Sequence, residues 1–357
     1  MPRPWSIKLQ PSPDELLSSY LVRSAHAHGL HPMRFVAMYF PDHQVWTRDI
    51  DRQVPADLRD KIAHASGLPI DAIKTMTLTS YLPRTSRQTS ENSSASSWCT
   101  SVGMHGRWRT RHGLQYCPRC LHTHGVFFRM WRLAFAFACP VHGLMLEDRC
   151  GVCGAPIVLH RTRHALTNCH CCGALLGANA CSNTALVLEA LHVQARFLSL
   201  CRQDCIDING LSVENAEFFR GLGILMKILR EKMRSHPAEF HVQDRLVLDN
   251  CESLRASSAP MRLRLCASVL DVLERWPEAF SNIAKATNMT HAAFAHYGKA
   301  PSWLEEQVNR LPQRLRPRYA YRGTTLIEHV RQIEADGGKN CRARRACALM
   351  AAAGRRT

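Results

Sequence analysis

Four short ligand pairs fall within 56 residues: Cys117/Cys120, Cys139/His142, Cys150/Cys153 and Cys169/Cys172. In each, two residues separate the pair, the spacing with which one turn aims two side chains at one ion. Taken in chain order they form C-x2-C-x18-C-x2-H and C-x2-C-x15-C-x2-C, both of zinc-ribbon or knuckle type. Two such turns complete a tetrahedron of thiolates about 2.3 Å from the ion. Zn²⁺ suits four S/N donors and has no redox chemistry of its own. Four protein ligands leave no open position for water, so the spacing predicts two structural zinc ions whose binding energy becomes folding energy. Two alternatives stay open. The pairs can interleave, Cys117/Cys120 sharing an ion with Cys150/Cys153. His170, Cys171 and Cys181 also compete for the second site. Cys169 and Cys172 are preferred because their spacing, with Gly173 following, repeats the earlier "CGVCG". Cys201, Cys205, Cys251, Cys266, Cys341 and Cys347 read as small hydrophobes.

Other uses of cysteine fit less well. The opening "MPRPWSIKLQ" has no apolar core of a signal peptide. No run approaches the roughly 18 apolar residues of a membrane span. A cytoplasmic chain is expected, with no membrane partner and no disulfide framework. Thioredoxin-like chemistry needs one CxxC, not four pairs. A zinc deaminase needs H-x-E beside an open zinc, and "PVHG" has no Glu two residues after His142. The sequence therefore predicts no enzyme.

Either side of the cysteine region, the periodicity is helical. "SPDELLSSYLVRSAHAHG" begins with Ser12 as an N-cap and Glu15 three residues on, a capping-box pattern. Leu17, Tyr20, Leu21 and Ser24 then follow at helical spacing. "VPADLRDKIAHASGLPIDAIKTM" reads as two more helices, broken at Gly67 and Pro69. Later helices are "ALVLEALHVQARFLSL", "SVENAEFFRGLGILMKILREKM" and "PMRLRLCASVLDVLERW", the last with Pro260 in its first turn. The fold class is mainly α. The expected regions are a helical N-terminal domain (1–83), a Ser/Arg-rich linker read as a mobile loop (84–112), a loop-rich two-zinc module (113–182), a helical domain (183–311) and a basic tail (312–357) with a short helix near Ile327–Ile333.

Three segments carry a helix-turn-helix signature: a small residue, Gly or Asn four residues on, an apolar residue, and another five beyond. They are Ala25/Gly29/Leu30/Phe35, Ala63/Gly67/Leu68/Ile73 and Ala284/Asn288/Met289/Phe294. The reading positions of the first (His31, Pro32, Met33, Arg34) and second (Pro69, Ile70, Asp71, Lys74) suit base contact poorly and fit protein docking. The third offers Thr290, His291, His296 and Lys299 for phosphate and base contact. Charge points to a polyanion. The chain has 46 basic and 29 acidic residues, a net +17. From Asn92 to Leu146 there is no acid, while Arg107, Arg109, Arg111, Arg119, Arg129 and Arg132 lie there. From Arg310 onward eleven Arg and one Lys face three acids, a surplus of nine. Arg107, Arg109 and Arg111 are the expected phosphate contacts.

"PSPDELLSSYLVRSAHAHG", "IAHASGLPIDAIKTMTL", "YCPRCL", "WRLAFAFACPVHGLML" and "DRCGVCG" occur in this order, with a last CxxC. In this the chain resembles the TniQ family, which includes TnsD-like proteins, closely over about residues 8–180. The resemblance implies a bacterial transposon accessory protein that helps select target DNA. It implies links to an AAA+ ATPase regulator and a transposase, and in some family members to a CRISPR guide-RNA complex. It carries the ligand roles onto the same eight residues. Residues His122 and His124 stand where the family often has an acid. The competing reading is a stand-alone zinc-containing, sequence-specific DNA-binding regulator. A homodimer is compatible with either.

Overall fold

The computed structural model describes residues 2–80, 98–100, 104–105, 108–109, 114–177, 184–240 and 257–313. The fold below is that of the compact unit ending at Pro312. The mainly helical class holds: the described residues carry ten α-helices, and their strands pair only as short two-stranded ladders.

At the N-terminus, α1 (Leu17–Ala27) is buried on almost every side, including Leu17, Tyr20, Leu21 and Ala25. Its start departs from a simple capping box. The Ser12 amide does donate to the Glu15 carboxylate at 2.9 Å, but Asp14 adopts φ 60° and the helix begins only at Leu17. Glu15 is 1% exposed and serves as a hub instead, accepting from Ser19 Oγ at 3.0 Å and from Arg23 at 2.7 Å. The Leu16 amide donates to the Phe127 carbonyl at 2.9 Å, so the entry to α1 is tied directly to the cysteine region.

In the first two signatures the glycine falls at a turn between consecutive helices. Gly29 (φ 68°) turns α1 into α2 (Pro32–Tyr39), and Gly67 (φ 74°) turns α3 (Ala56–Ser66) into α4 (Ile70–Thr75). Both glycines occupy the left-handed region that L-residues with a Cβ avoid. Phe35 and Ile73, the apolar residues that close the two signatures, are fully buried.

α5 (Pro118–His124) lies in the cysteine region, which is otherwise turns and two-residue strands: β1 (Met104–His105) with β2 (Trp108–Arg109), and β3 (Ala138–Cys139) with β4 (Leu144–Met145). α6 (Thr184–Arg202) follows. It meets length and hydropathy criteria for a membrane span, although the sequence reading found no such stretch. Here Val187, Ala190, Val193 and Phe197 of α6 are buried, against β3 and the later helix Ala259–Glu274 among others. A hairpin absent from the sequence reading, β5 (Cys205–Ile208) and β6 (Leu211–Glu214), turns at Asn209-Gly210, both with positive φ. That dipeptide suits the type I′ turn favoured in tight hairpins. α7 (Asn215–Ser235) buries the expected stripe Phe218, Leu222, Leu225 and Leu229. α8 (Ala259–Glu274) starts on Ser258, with Pro260 in its first turn. α9 (Glu278–Ala286) and α10 (Ser302–Asn309) complete the unit.

The third signature keeps its turn, at Asn288 with φ 47°, and buries Phe294, but its second element is a single 3₁₀ turn, His291–Phe294. The segment is short. Gly298 (φ 71°) bends the chain, and Pro301 steers the preceding residue away from helical geometry before α10 begins.

Buried polar side chains lock the regions together. Arg132, fully buried, donates to Asp49 at 2.6 Å, to Asp51 at 2.9 Å and to the Thr100 carbonyl at 2.9 Å. Asp51 in turn accepts from the Ser18 amide and hydroxyl, both at 2.8 Å. From the C-terminal helices, Gln194 accepts from the Phe137 amide at 2.9 Å, and Arg262 donates to Gln115 and to the Ala134 carbonyl. The residues "LAFAFAC" thus have backbone polar groups satisfied from α6 and α8, and one apolar core runs from Trp5 to Val308.

Candidate metal centres

Each cysteine pair sits on a turn that its own sequence dictates. Cys139 and His142 flank the β3–β4 connection. Gly143 follows at φ 56° and donates its amide to the Cys139 carbonyl at 2.9 Å. The next two pairs repeat this device. Gly154 (φ 69°) donates to Cys150 at 2.9 Å, and Gly173 (φ 75°) donates to Cys169 at 3.0 Å. Each knuckle is clamped by return hydrogen bonds, from the Cys150 amide to Ala155 at 2.9 Å and from the Cys169 amide to Ala174 at 2.8 Å. The Cys117/Cys120 pair differs. Cys117 caps α5, Pro118 occupies its first turn, and Gly125 ends it at φ 65°. Tyr116, just before, pairs with Glu147 through its backbone and donates its hydroxyl to the Glu147 carboxylate at 2.7 Å.

The turns converge in sequential order, not interleaved. Cys117, Cys120, Cys139 and His142 form one group, and Cys150, Cys153, Cys169 and Cys172 the other, each with ligand atoms within 4.8 Å of one another. In the first, Cys120 Sγ lies 3.6 Å from Cys139 Sγ and 3.1 Å from His142 Nδ1. His142 Nδ1 also lies 3.6 Å from both Cys117 Sγ and Cys139 Sγ. In the second, Cys150 Sγ to Cys172 Sγ is 3.7 Å and Cys153 Sγ to Cys169 Sγ is 3.6 Å. A tetrahedral ion about 2.3 Å from sulfur separates its sulfurs by about 3.8 Å, and sulfur from nitrogen by about 3.6 Å. The donor sets and spacings therefore fit a metal ion in each group. Among the rivals, His170 is half-buried, and Cys171 is exposed and donates its amide to Cys169 Sγ at 3.4 Å. Cys181 lies outside the described residues.

Crowding of thiols leaves each group short of positive charge. The Cys117 thiol is pushed up by its hydrogen bond to Cys139 and by burial, and burial first of all lifts Cys120 to about 11. Cys139, receiving the Cys117 hydrogen bond, falls to about 4. In the second group burial lifts Cys169 to about 12. Burial also opposes ionisation of Cys150, but the backbone amides of Cys153 and Val152 outweigh it and bring Cys150 down to about 7. Each group thus favours a thiolate in one position and resists a second, the situation a divalent cation relieves. The two differ in shelter. All three cysteines of the first group are buried, whereas Cys153 and Cys172 of the second are exposed.

The described residues among those expected to touch nucleic acid belong to two elements distant in sequence. Arg109 lies in β2, with Arg107 and Arg111 outside the described residues. Thr290 and His291 are half-buried at the 3₁₀ turn, and His296 and Lys299 are exposed beyond it. The acid-free stretch is not a uniformly basic surface. Arg132 is spent on Asp49 and Asp51, and Arg129 pairs with Asp14 at 2.8 Å, while Arg119 stays exposed. Acids from the N-terminal helical region neutralise arginines that look unpaired along the chain. A second acid-free run, from Arg149 to Leu188, is a signal the sequence also carries, and its Arg161 and Arg163 are both exposed.

Residues 6–146 match the family model TniQ. The match takes in the whole first ligand group and stops before the second. No curated protein matches the chain.

Proposed function

With residues 6–146 a TniQ-family region, we propose that this chain is a non-enzymatic accessory protein of DNA transposition, one that helps select target DNA and bridges it to an AAA+ ATPase regulator and a transposase. The observation that carries this reading is the pair of four-donor groups, the first inside the family match. Each holds four protein donors around one point, so an ion there is a fold staple and not a Lewis acid facing substrate. Zinc is the metal the S/N donor set favours, with Cys117, Cys120, Cys139 and His142 holding one ion and Cys150, Cys153, Cys169 and Cys172 the other. Such sites need reduced thiols, which agrees with a cytoplasmic protein.

On this reading catalysis belongs to the transposase, and this chain supplies a rigid scaffold with phosphate contacts. Arg107, Arg109 and Arg111, with Thr290, His291, His296 and Lys299, remain candidates for those contacts. The first two helix-turn-helix units serve protein docking. Whether the ATPase regulator is met directly or beside a guide-RNA complex, the adaptor needs only weak, nonselective affinity of its own for DNA.

The test is reconstituted transposition with insertion sites mapped by sequencing, comparing reactions with the chain, without it, and with Cys139→Ser/His142→Ala. The reading requires that insertions lose their preferred target when the chain is omitted. Unchanged insertion profiles in all three reactions would sink it. The stand-alone regulator instead requires the purified chain to enrich one sequence from a random pool. The single 3₁₀ turn that replaces a reading helix in the third unit weighs against that.

A further inference from the structure

The turn at Leu159–Arg161 and its continuation to His164 have a clear division of labour. His160 and Thr162 are buried, at 7% and 4% exposure, while Arg161, Arg163 and His164 between and beyond them face solvent. The buried pair is fastened to the N-terminal helices. His160 stacks on Trp46 with ring centroids 5.2 Å apart and planes 19° from parallel. Trp46 donates its indole N–H to the Pro32 carbonyl at the start of α2, at 3.3 Å. His26 of α1 lies 3.2 Å from the Thr162 carbonyl through Nε2, and the Thr162 hydroxyl donates to Leu159 at 2.7 Å. The two arginines thus project from a turn that is fixed to the N-terminal region by one ring stack and one hydrogen bond.

Other positive groups stand on the segments packed around this turn. Arg48, exposed, lines the same small cavity as His160. Arg34 is exposed on α2, which packs against this turn. None of Arg34, Arg48, Arg161 and Arg163 is in an ion pair or side-chain hydrogen bond among the described residues. The neighbouring acids are already engaged: Asp49 and Asp51 by Arg132, and Glu15 by Arg23. Neither α1 nor α2 contains an acid. Burial and the charge of Arg161 hold His160 down at about 4, so His160 acts as a neutral wedge and the arginines carry the charge.

We propose that this face, built from Arg48, Arg161 and Arg163 with Arg34 of α2 beside them, is a docking surface for the phosphate backbone of duplex DNA. The proposal rests on the transposition reading above and adds to it a place where target DNA lies. Guanidinium groups pre-positioned by a rigid turn give phosphate contacts at low ordering cost and carry no sequence information. That is what an adaptor taking its specificity from partners needs.

The experiment uses the full-length, zinc-loaded chain and a random-sequence duplex, with the binding constant measured across a salt series. Three proteins are compared: wild type, R48Q/R161Q/R163Q, and R202Q/R275Q/K285Q, which removes the same charge from exposed positions elsewhere. Zinc content and melting temperature confirm that all three are folded. The expected result is a log–log salt slope shallower by about 2.7 for the first triple, about 0.9 for each phosphate no longer neutralised, with at least roughly tenfold weaker binding at moderate salt. The control triple should keep nearly the wild-type slope. If the two triples behave alike, or the first binds as wild type does, the face is not the docking surface, although the transposition reading stands. If wild type fails to bind duplex DNA at all while an acidic protein partner depends on these arginines, both the proposal and the DNA-contact part of the reading fall.

Discussion

Replacing Arg132 by Met keeps most of the side-chain volume but removes the buried cation that Asp51 shares with Asp49. Asp51 is 1% exposed, and Arg132 is the only cation to which it is ion-paired among the described residues. Removing one member of a buried charge cluster costs about 3–5 kcal/mol, because the remaining charge keeps its desolvation penalty. For a chain of this size that lowers the melting temperature by roughly 4–7 °C. The pH dependence gives a second readout. Burial already holds the Asp51 carboxyl above its usual value, against the pull of Arg132. A carboxyl raised in the folded state binds its proton more tightly there than in the unfolded chain. Its effect on stability is therefore most favourable at low pH and worsens as pH rises through the folded value. Loss of Arg132 moves that value up, so the deficit of R132M should be larger at pH 8 than at pH 6. The assay is thermal denaturation of zinc-loaded protein at the two pH values. R132M/D49N/D51N, which removes the stranded charges, should recover most of the loss. A single variant within about 0.5 kcal/mol of wild type, the usual range for surface substitutions, would refute the idea that this cluster joins the N-terminal helices to the cysteine region.

Chelator or mild oxidant should remove one ion per chain well before the other, the fast one from the group containing exposed Cys153 and Cys172. C172S should abolish the fast phase and C139S the slow one. Truncation after residue 182 strips Gln194 and Arg262 from the Phe137 amide, the Ala134 carbonyl and Gln115, at about 1–3 kcal/mol for each buried group left unpaired. The fragment should be insoluble or molten by near-UV circular dichroism even with zinc. G221A places a methyl 2.5 Å from Trp303 and 2.6 Å from Pro301, and should lower the melting temperature by several degrees, whereas G223A, with open space around it, should not.

The metal centres were the most legible part of the sequence because a C-x2-C turn with a following Gly is a local object. The same few residues set the turn, the left-handed glycine and the ligand direction. The sequential grouping, which spacing left open beside an interleaved one, followed only from how the β3–β4 connection and the two later knuckles stack. Helices with a strong stripe, such as α7, were equally plain. What was not legible depends on distant partners. Arg129 and Arg132 looked like surface charge because Asp14, Asp49 and Asp51 lie some 80 to 115 residues away in sequence. The Ala284/Asn288/Phe294 signature fixed a turn and a buried aromatic but could not guarantee a helix after it, since Gly298 and Pro301 limited its length. The hairpin at Asn209-Gly210 did carry a local signal, overshadowed by the two long helical patterns that flank it.

Two four-donor groups whose spacing fits a metal ion are the observation on which the functional reading rests. The most direct measurement is zinc K-edge X-ray absorption on purified protein, with metal content determined on the same sample. The proposed zinc assignment predicts two ions per chain and an average first shell of 3.5 sulfurs and 0.5 nitrogen, from three sulfurs and one nitrogen in one group and four sulfurs in the other. Sulfur should lie at about 2.3 Å, with no light-atom shell beyond the histidine. One ion per chain, or a first shell that includes a water-like oxygen, would contradict this. The first would mean that one group holds no zinc, the second that a site is open and fit for chemistry.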